Sequence, residues 1–195
     1  MILPMTKQHL QWTFLEEHET YRCRVFSVKD TTCRSPEGDT KSFSVIDAPD
    51  WAIIIPLLQE EAEDTFVMVH QWRHGSQCLS TEFPGGVIEK GEDPIEGARR
   101  ELQEETGYVA GTIHKLGEFS PNPAIMKNRV HVFLATDLVK TGTQHLDADE
   151  YVDVERVPFT TVLSAMGKPP YVHALMASAL TLFIQWKSLI RKAPL

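Results

Sequence analysis

Residues 86–108 read GVIEKGEDPIEGARRELQEETGY, and this stretch contains the start, the body and the end of one short helix. Asp93 is a strong N-cap residue, and Pro94 suits the first helical position. Gly107 supplies the left-handed conformation in which helices commonly end. The pattern therefore predicts a helix over residues 94–106.

The last turn of this helix carries acidic residues that oppose local helix preferences. Glu101, Glu104 and Glu105 lie three and four residues apart, and like-charge pairs at this spacing destabilise a helix by roughly 0.2–0.5 kcal/mol each. Acidic residues near the C-terminus also oppose the helix dipole, at about 0.3–1 kcal/mol each. A divalent cation is the simplest compensation. The alternative is an acidic face that is merely solvated.

The fixed positions of this stretch resemble the Nudix box, and they are Gly86, Glu92, Arg100, Glu101, Leu102, Glu104, Glu105 and Gly107. The one departure is Tyr108, where the pattern usually has an aliphatic residue. The resemblance covers about residues 51–165. It implies an α/β fold, namely the Nudix α/β/α sandwich with a mixed β-sheet, and it implies hydrolysis of a diphosphate linkage.

The resemblance also implies roles for single residues. Glu101 and Glu105 would be the principal metal ligands, with Glu104 as a further ligand or as a catalytic, water-orienting acid. The backbone carbonyl of Gly85 would be a ligand too. Arg100 would orient the glutamates through charge-assisted hydrogen bonds, the alternative being an ordinary surface ion pair. The expected ion is Mg²⁺, with Mn²⁺ as the alternative, because hard cations take oxygen ligands.

Residues outside the box resemble the ADP-ribose and nucleoside-diphosphate-sugar branch of the family, and Arg73, Glu82 and Pro123 carry this likeness. It implies substrate-binding roles for two of them. Arg73 would pair with diphosphate oxygens, for which a planar guanidinium is suited. Glu82 would contact a ribose or a metal. The alternatives are a solvating arginine at a strand end and an exposed acid on a strand.

The catalytic base is expected in the loop before the last strand, where LDADEY offers Asp147, Asp149 and Glu150. The branch usually places two glutamates close together in this loop, but Ala148 falls where one of them would align. We expect Glu150 to be the base. The alternatives are the two loop aspartates and Glu104 on the helix, or a loop that is only polar and mobile.

Periodicity and turn residues predict the remaining elements of the chain. Two strands over 21–29 and 41–47, joined by RSPEGDT, are expected to form an antiparallel hairpin ahead of the main domain. Further strands are expected over 51–58, 65–72, 79–83, 112–119, 130–135 and 152–157, and further helices over 157–166 and 173–192. We therefore expect a Nudix hydrolase domain over 48–195 and an N-terminal β extension over 1–47. In the branch, this extension helps to form a swapped dimer, which implies a homodimer.

Composition limits the partners and the location of the protein. The 195 residues include 27 Asp and Glu against 19 Lys and Arg, and no stretch concentrates the basic residues, so nucleic acid is an unexpected partner. Three cysteines without a CxxC pair predict neither a disulfide framework nor a zinc site. We expect no signal peptide and no membrane span, and hence a cytoplasmic protein.

These features together predict a Mg²⁺-dependent pyrophosphatase. The expected substrate is ADP-ribose or a related nucleoside diphosphate sugar, and the expected products are a nucleoside monophosphate and a sugar phosphate. One alternative is a nucleoside triphosphate or coenzyme A pyrophosphatase, against which the N-terminal extension and Pro123 argue. The other is a non-catalytic Nudix ligand-binding regulator, against which the intact box argues.

Overall fold

A computed structural model describes residues 7–190, which divide into two compact units. The first unit comprises residues 7–49 and 120–128, and the second comprises 50–119 and 129–190. Within the described range, no helix is long and apolar enough to cross a membrane.

The first unit contains a three-stranded antiparallel sheet in the order β1 (Thr13–Arg22), β2 (Ser27–Arg34) and β3 (Thr40–Asp47), preceded by a 3-10 turn at Gln8–Leu10. The predicted strand over 21–29 is wrong, because the chain reverses between β1 and β2. Cys23 N donates to Phe26 O there over 3.0 Å. The turn CRVF contains no Gly, Pro, Asn or Asp, so it gives no sequence signal. The predicted turn after Arg34 is confirmed.

The second unit is built on a mixed seven-stranded sheet. Its strands are β4 (Trp51–Leu58), β5 (Thr65–Arg73), β6 (Cys78–Glu82), β7 (Gly85–Val87), β8 (Tyr108–Phe119), β9 (Val130–Lys140) and β10 (Val152–Pro158). The order is β10-β5-β4-β9-β8, with β6 paired to β5 and β7 paired to β4. The pair β4–β9 is parallel, and the other pairs are antiparallel.

Three helices cover the two faces of this sheet, namely α1 (Pro94–Thr106), α2 (Phe159–Ala165) and α3 (Ala174–Ile190). Alternate residues of β4 face opposite sides. Ile55 and Leu57 pack in a core with residues of α2 and α3, whereas Ala52 and Ile54 pack in a second core with residues of α1. Burial on both faces explains the uninterrupted apolar run of β4 and confirms the predicted α/β fold.

Several element ends differ from the sequence prediction. Strands β8 and β9 are longer than predicted because they pair with each other as far as Tyr108 opposite Lys140. Helix α2 begins at Phe159, since the two residues before it belong to β10. Helix α3 is described to Ile190, so the last two residues of the predicted helix lie outside the described part of the chain.

Candidate active site

Helix α1 begins and ends where the sequence predicts, and this fixes the positions of its acidic residues. Asp93 Oδ1 accepts a hydrogen bond from Ile95 N over 3.0 Å, and Gly107 adopts φ 70° at the end of the helix. Ala98 and Leu102 are fully buried against the sheet. The acids of the last turn therefore lie at the edge of a packed core, on a rigid element.

Glu105 is the most deeply buried of these acids, with 4% of its surface exposed. Its Oε2 accepts a hydrogen bond from the backbone N of Gly85 over 2.9 Å, which joins α1 to β7. Burial raises the pKa of Glu105 to about 8, and the nearby charges of Glu101 and Glu150 contribute to the rise. A positive charge beside this carboxyl group would restore its ionised form at neutral pH.

Glu101 lies against the backbone of β7. A Cβ atom on Gly86 would come within 2.6 Å of Glu101 Oε1, so a larger residue there would displace the carboxylate from this position. Burial raises the pKa of Glu101, although its hydrogen bond from Arg100 acts in the opposite direction. Two acids with raised pKa values therefore lie next to the same glycine pair, Gly85 and Gly86.

Arg100 connects the box acids to one another. Its Nε and Nη2 donate to the two carboxylate oxygens of Glu92 over 3.0 and 3.1 Å. Its Nη1 donates to Glu101 Oε1 over 2.8 Å and to Glu104 Oε2 over 3.0 Å. The guanidinium also contacts the Val87 carbonyl over 3.1 Å. These contacts fit the orienting role that the sequence predicts for Arg100 better than a single surface ion pair does.

The chemistry of this cluster suits a hard divalent cation. Within residues 7–190, no three Asp, Glu, His or Cys side chains already converge on one point as a complete cation site. Mg²⁺ usually takes only one or two protein carboxylates and keeps several waters. The carboxylates of Glu101 and Glu105 fit that requirement.

The two residues predicted to bind substrate contact each other. Arg73 donates through Nε and Nη2 to Glu82 Oε1 and Oε2 over 2.9 and 2.6 Å. Glu82 is only 4% exposed, so it is not the exposed strand acid considered as its alternative. Burial alone would raise the pKa of Glu82, but the hydrogen bonds from Arg73 lower it. The pair therefore holds an ionised carboxylate in a buried position.

A cavity of about 320 Å³ adjoins this pair and extends to the glycines of β7. Its polar side chains are Arg73, Glu82 and His173. The rest of the lining is backbone or apolar and comprises Trp51, Ala52, Ile53, Phe83, Gly85, Gly86, Val87, Leu175 and Met176. A concave, mostly apolar site with a few converging polar groups is typical of small-molecule binding. The cavity therefore extends from Arg73 and Glu82 to Gly85 and Gly86. These two glycines lie beside the acidic cluster of α1, which comprises Glu101, Glu104 and Glu105.

His173 is a site residue that the sequence analysis missed. It immediately precedes α3, and its Nε2 lies 3.9 Å from Glu82 Oε2. A hydrogen bond from Thr81 N to Pro170 O, over 3.0 Å, holds the preceding loop against β6. No local motif marks His173, because its relation to Glu82 depends on contacts between distant parts of the chain.

The first part of the loop between β9 and β10 is hydrogen-bonded to the end of α1. Gln144 Nε2 donates to the carbonyls of Glu105 and Val152 over 2.7 and 2.9 Å, and His145 N donates to the Glu104 carbonyl over 2.8 Å. Glu150 lies farther along this loop and is exposed, and its carboxylate accepts from Asp147 N over 3.2 Å. The structure therefore places Glu150 on a loop that is anchored to the acidic helix.

Comparisons with known proteins found similar sequences and a similar structure. A family model described as NUDIX domain matches residues 48–177. An ADP-ribose pyrophosphatase of Bacillus subtilis (strain 168) is 32% identical over 157 residues, or 80% of this chain and 83% of the relative. The ADP compounds hydrolase NudE of Escherichia coli (strain K12) is 24% identical over 93% of this chain and 96% of its own. A crystal structure of an ADP compounds hydrolase matches with a TM-score of 0.80 at 23% identity, covering 94% of this chain and 98% of the other. This last likeness concerns the fold.

Proposed function

This chain belongs to the NUDIX domain family, and on that premise we propose that it hydrolyses the diphosphate bond of ADP-ribose or a related nucleoside diphosphate sugar. The products would be a nucleoside monophosphate and a sugar phosphate. The position of the cavity is the strongest support for this proposal. The cavity beside the Arg73–Glu82 pair extends to the same glycines that contact Glu101 and Glu105, so one bound molecule can reach both groups.

We propose that Mg²⁺ binds at Glu101 and Glu105, with Glu104 and the Gly85 carbonyl as further ligands. A bound Mg²⁺ supplies charge neutralisation at the diphosphate and lowers the pKa of a coordinated water. The protein's own contribution is orientation. Arg100 positions Glu101 and Glu104 through charge-assisted hydrogen bonds, and the Gly85 backbone N–H positions the Glu105 carboxylate.

Arg73 is suited to the diphosphate itself. A guanidinium has five N–H donors, and Glu82 accepts two hydrogen bonds from it, so donors remain for phosphate oxygens. Its contact with Glu82 raises the pKa of Arg73, although burial acts in the opposite direction, and this keeps the side chain charged. Glu82 thereby holds the guanidinium in a fixed orientation at the cavity wall.

A hydrolysis screen tests the proposed function. The substrates are ADP-ribose, ADP-glucose, GDP-mannose, NADH, coenzyme A and nucleoside triphosphates, each with Mg²⁺. We expect ADP-ribose or another nucleoside diphosphate sugar to give the highest kcat/KM. Preference for triphosphates or coenzyme A would favour the alternative enzyme. Binding of ADP-ribose without hydrolysis of any substrate would favour a ligand-binding regulator.

The stability of the metal-free protein is expected to depend on pH because of Glu105. Its folded pKa of about 8 lies above the ordinary value of 4.5, so its favourable contribution is complete below about pH 4.5 and is lost as the pH rises through about 8. Mg²⁺ binds the ionised native form and should reverse this loss by mass action. Thermal melts in chelator and in Mg²⁺, at about pH 6 and about pH 8.5, should show the larger gain from Mg²⁺ at the higher pH. Equal melting temperatures with and without Mg²⁺ would contradict a metal site here.

We further propose that residues 1–47 act as a dimerisation element. In the described part of this segment, β1 is exposed on both faces, and the large apolar side chains left exposed include Trp12, Phe14, Leu15, Tyr21 and Phe43. Among the described residues, the outer edge of β1 pairs with no strand, and a sheet with an apolar surface and such an edge is suited to pairing with a second copy.

Light scattering should therefore give a mass close to twice 22.1 kDa. Phe14→Glu should shift the protein toward the monomer, because it places a charge on the exposed surface of β1. Val139→Glu is the control, since Val139 is equally exposed, at 60% against 58%, but lies on β9 of the second unit. A 22.1 kDa species at micromolar concentration would contradict the dimer.

A further inference from the structure

His173 acts as the N-cap residue of α3, and this role determines which of its nitrogens faces the cavity as a donor. Its Nδ1 accepts a hydrogen bond from Leu175 N over 3.2 Å, and its carbonyl accepts from Ala177 N over 3.3 Å. A neutral imidazole that accepts at Nδ1 carries its proton on Nε2. Burial lowers the pKa of His173, which favours this neutral form. His173 therefore presents an N–H donor on the side of Glu82.

The distance from His173 Nε2 to Glu82 Oε2 is 3.9 Å, which is too long for a direct hydrogen bond. Glu82 Oε2 already accepts from Arg73 Nη2, but a carboxylate oxygen has two lone pairs and can accept once more. A donor and an acceptor thus face the same cavity with a gap between them. The group that satisfies both is one that accepts from Nε2–H and donates to Oε2.

On the premise of the proposed function, we propose that His173 and Glu82 together bind an acceptor–donor group of the nucleotide substrate, which makes His173 a specificity-determining residue. A ribose hydroxyl has this chemistry in a single oxygen. The Watson–Crick edge of adenine has it in N1 and the N6 amino group. A phosphate oxygen does not, because it cannot donate to the carboxylate and would be repelled by it.

The apolar lining supports a sugar or base at this position. Trp51, Phe83, Leu175 and Met176 all line the cavity and provide flat or flexible apolar surface. Apolar walls exclude water, which strengthens the few polar contacts that remain. An analogue that lacks the acceptor–donor group would leave the Nε2–H of His173 without an acceptor and Glu82 Oε2 with Arg73 as its one donor, and this penalty is the physical basis of selection.

Two substitutions separate the two functions of His173. In His173→Asn, the amide oxygen replaces Nδ1 as the N-cap acceptor, and the Nε2 donor is lost. In His173→Gln, the amide nitrogen reaches the position of Nε2, and the cap is lost. Asn is a strong N-cap residue, so His173→Asn should melt close to wild type, whereas His173→Gln should melt at a lower temperature.

Binding of ADP-ribose is measured by calorimetry in chelator, so that hydrolysis does not interfere. We expect His173→Asn to weaken binding by about tenfold, as for the loss of one hydrogen bond in a buried site. His173→Gln should bind more tightly than His173→Asn, because its amide nitrogen replaces the Nε2 donor. His114→Asn is the control, because His114 is exposed on β8 and does not line the cavity.

Three analogues then identify the group that is bound, namely 2-deoxyribose at the adenosine, 2-deoxyribose at the terminal sugar, and hypoxanthine in place of adenine. The analogue that lacks this group should bind wild type about tenfold more weakly and should show no further loss with His173→Asn.

Three results would overturn the assignment: wild-type affinity in His173→Asn, the same loss on every analogue, or affinities that follow only the melting temperatures. Absence of ADP-ribose binding by the wild type would overturn it too. The proposed function is tested separately, by wild-type turnover of ADP-ribose with Mg²⁺. If ADP-ribose bound in a manner that depends on His173 but was not hydrolysed, the binding role of His173 would be supported and the proposed hydrolase activity would be contradicted.

Discussion

Glu105→Gln is expected to lower kcat for ADP-ribose by on the order of 10³ or more, since charge stabilisation by a bound metal is worth several kcal/mol and each ~1.4 kcal/mol is tenfold in rate. Glutamine has nearly the same shape, and its side-chain oxygen can still accept from Gly85 N. The negative charge that would hold Mg²⁺ is the part that is removed.

The fold of this variant should remain intact. In metal-free protein near pH 8, Glu105→Gln should melt at or above the wild-type temperature, because it removes a buried carboxyl group that ionises with difficulty. Glu96→Gln is the matched control. It removes one charge from the same helix, where Glu96 is exposed and pairs with Arg99, so kcat should stay near wild type. Retention of kcat within about tenfold by Glu105→Gln would overturn the metal assignment.

The sequence predicts best where the determinants are local. Both ends of α1 were predicted to the residue because Asp93 and Gly107 act within one turn of the helix. The reversal between β1 and β2 was missed because residues 23–26 lack turn-forming side chains and are specified by pairing with neighbouring strands. The lengths of β8 and β9 were underestimated for the same reason, since partner strands rather than periodicity determine where they end.

In the candidate site, too, the residues with local determinants are predictable from the sequence, whereas contacts between distant parts of the chain are not. The acids of α1 follow from the spacing of the box, because one helix carries them all. Arg73 and Glu82 were each singled out, but their hydrogen bonds to each other depend on how β5 and β6 pair. His173 was missed altogether, since it lies 91 positions after Glu82 and reaches it only because the loop before α3 binds β6.

Glu150→Gln is expected to lower kcat by about 10² to 10⁴, the usual contribution of a general base. KM should change little, as for an interaction made mainly in the transition state. Glutamine can still accept from Asp147 N, so the loop turn that Glu150 stabilises should persist. The charge of Glu150 contributes to the raised pKa values of Glu101 and Glu105, which favours a position near the acidic cluster.

If Glu150 is not the base, three further variants in the same assay would locate it, namely Glu104→Gln, Asp147→Asn and Asp149→Asn. A loss below about tenfold for Glu150→Gln would move the role to one of these acids. Mg²⁺ affinity separates them, because Glu104 belongs to the helix cluster held by Arg100, whereas the aspartates lie on the loop. Neutralising a helix acid should weaken both kcat and Mg²⁺ binding. Neutralising a base on the loop should lower kcat alone, because the loop acids are not among the proposed Mg²⁺ ligands.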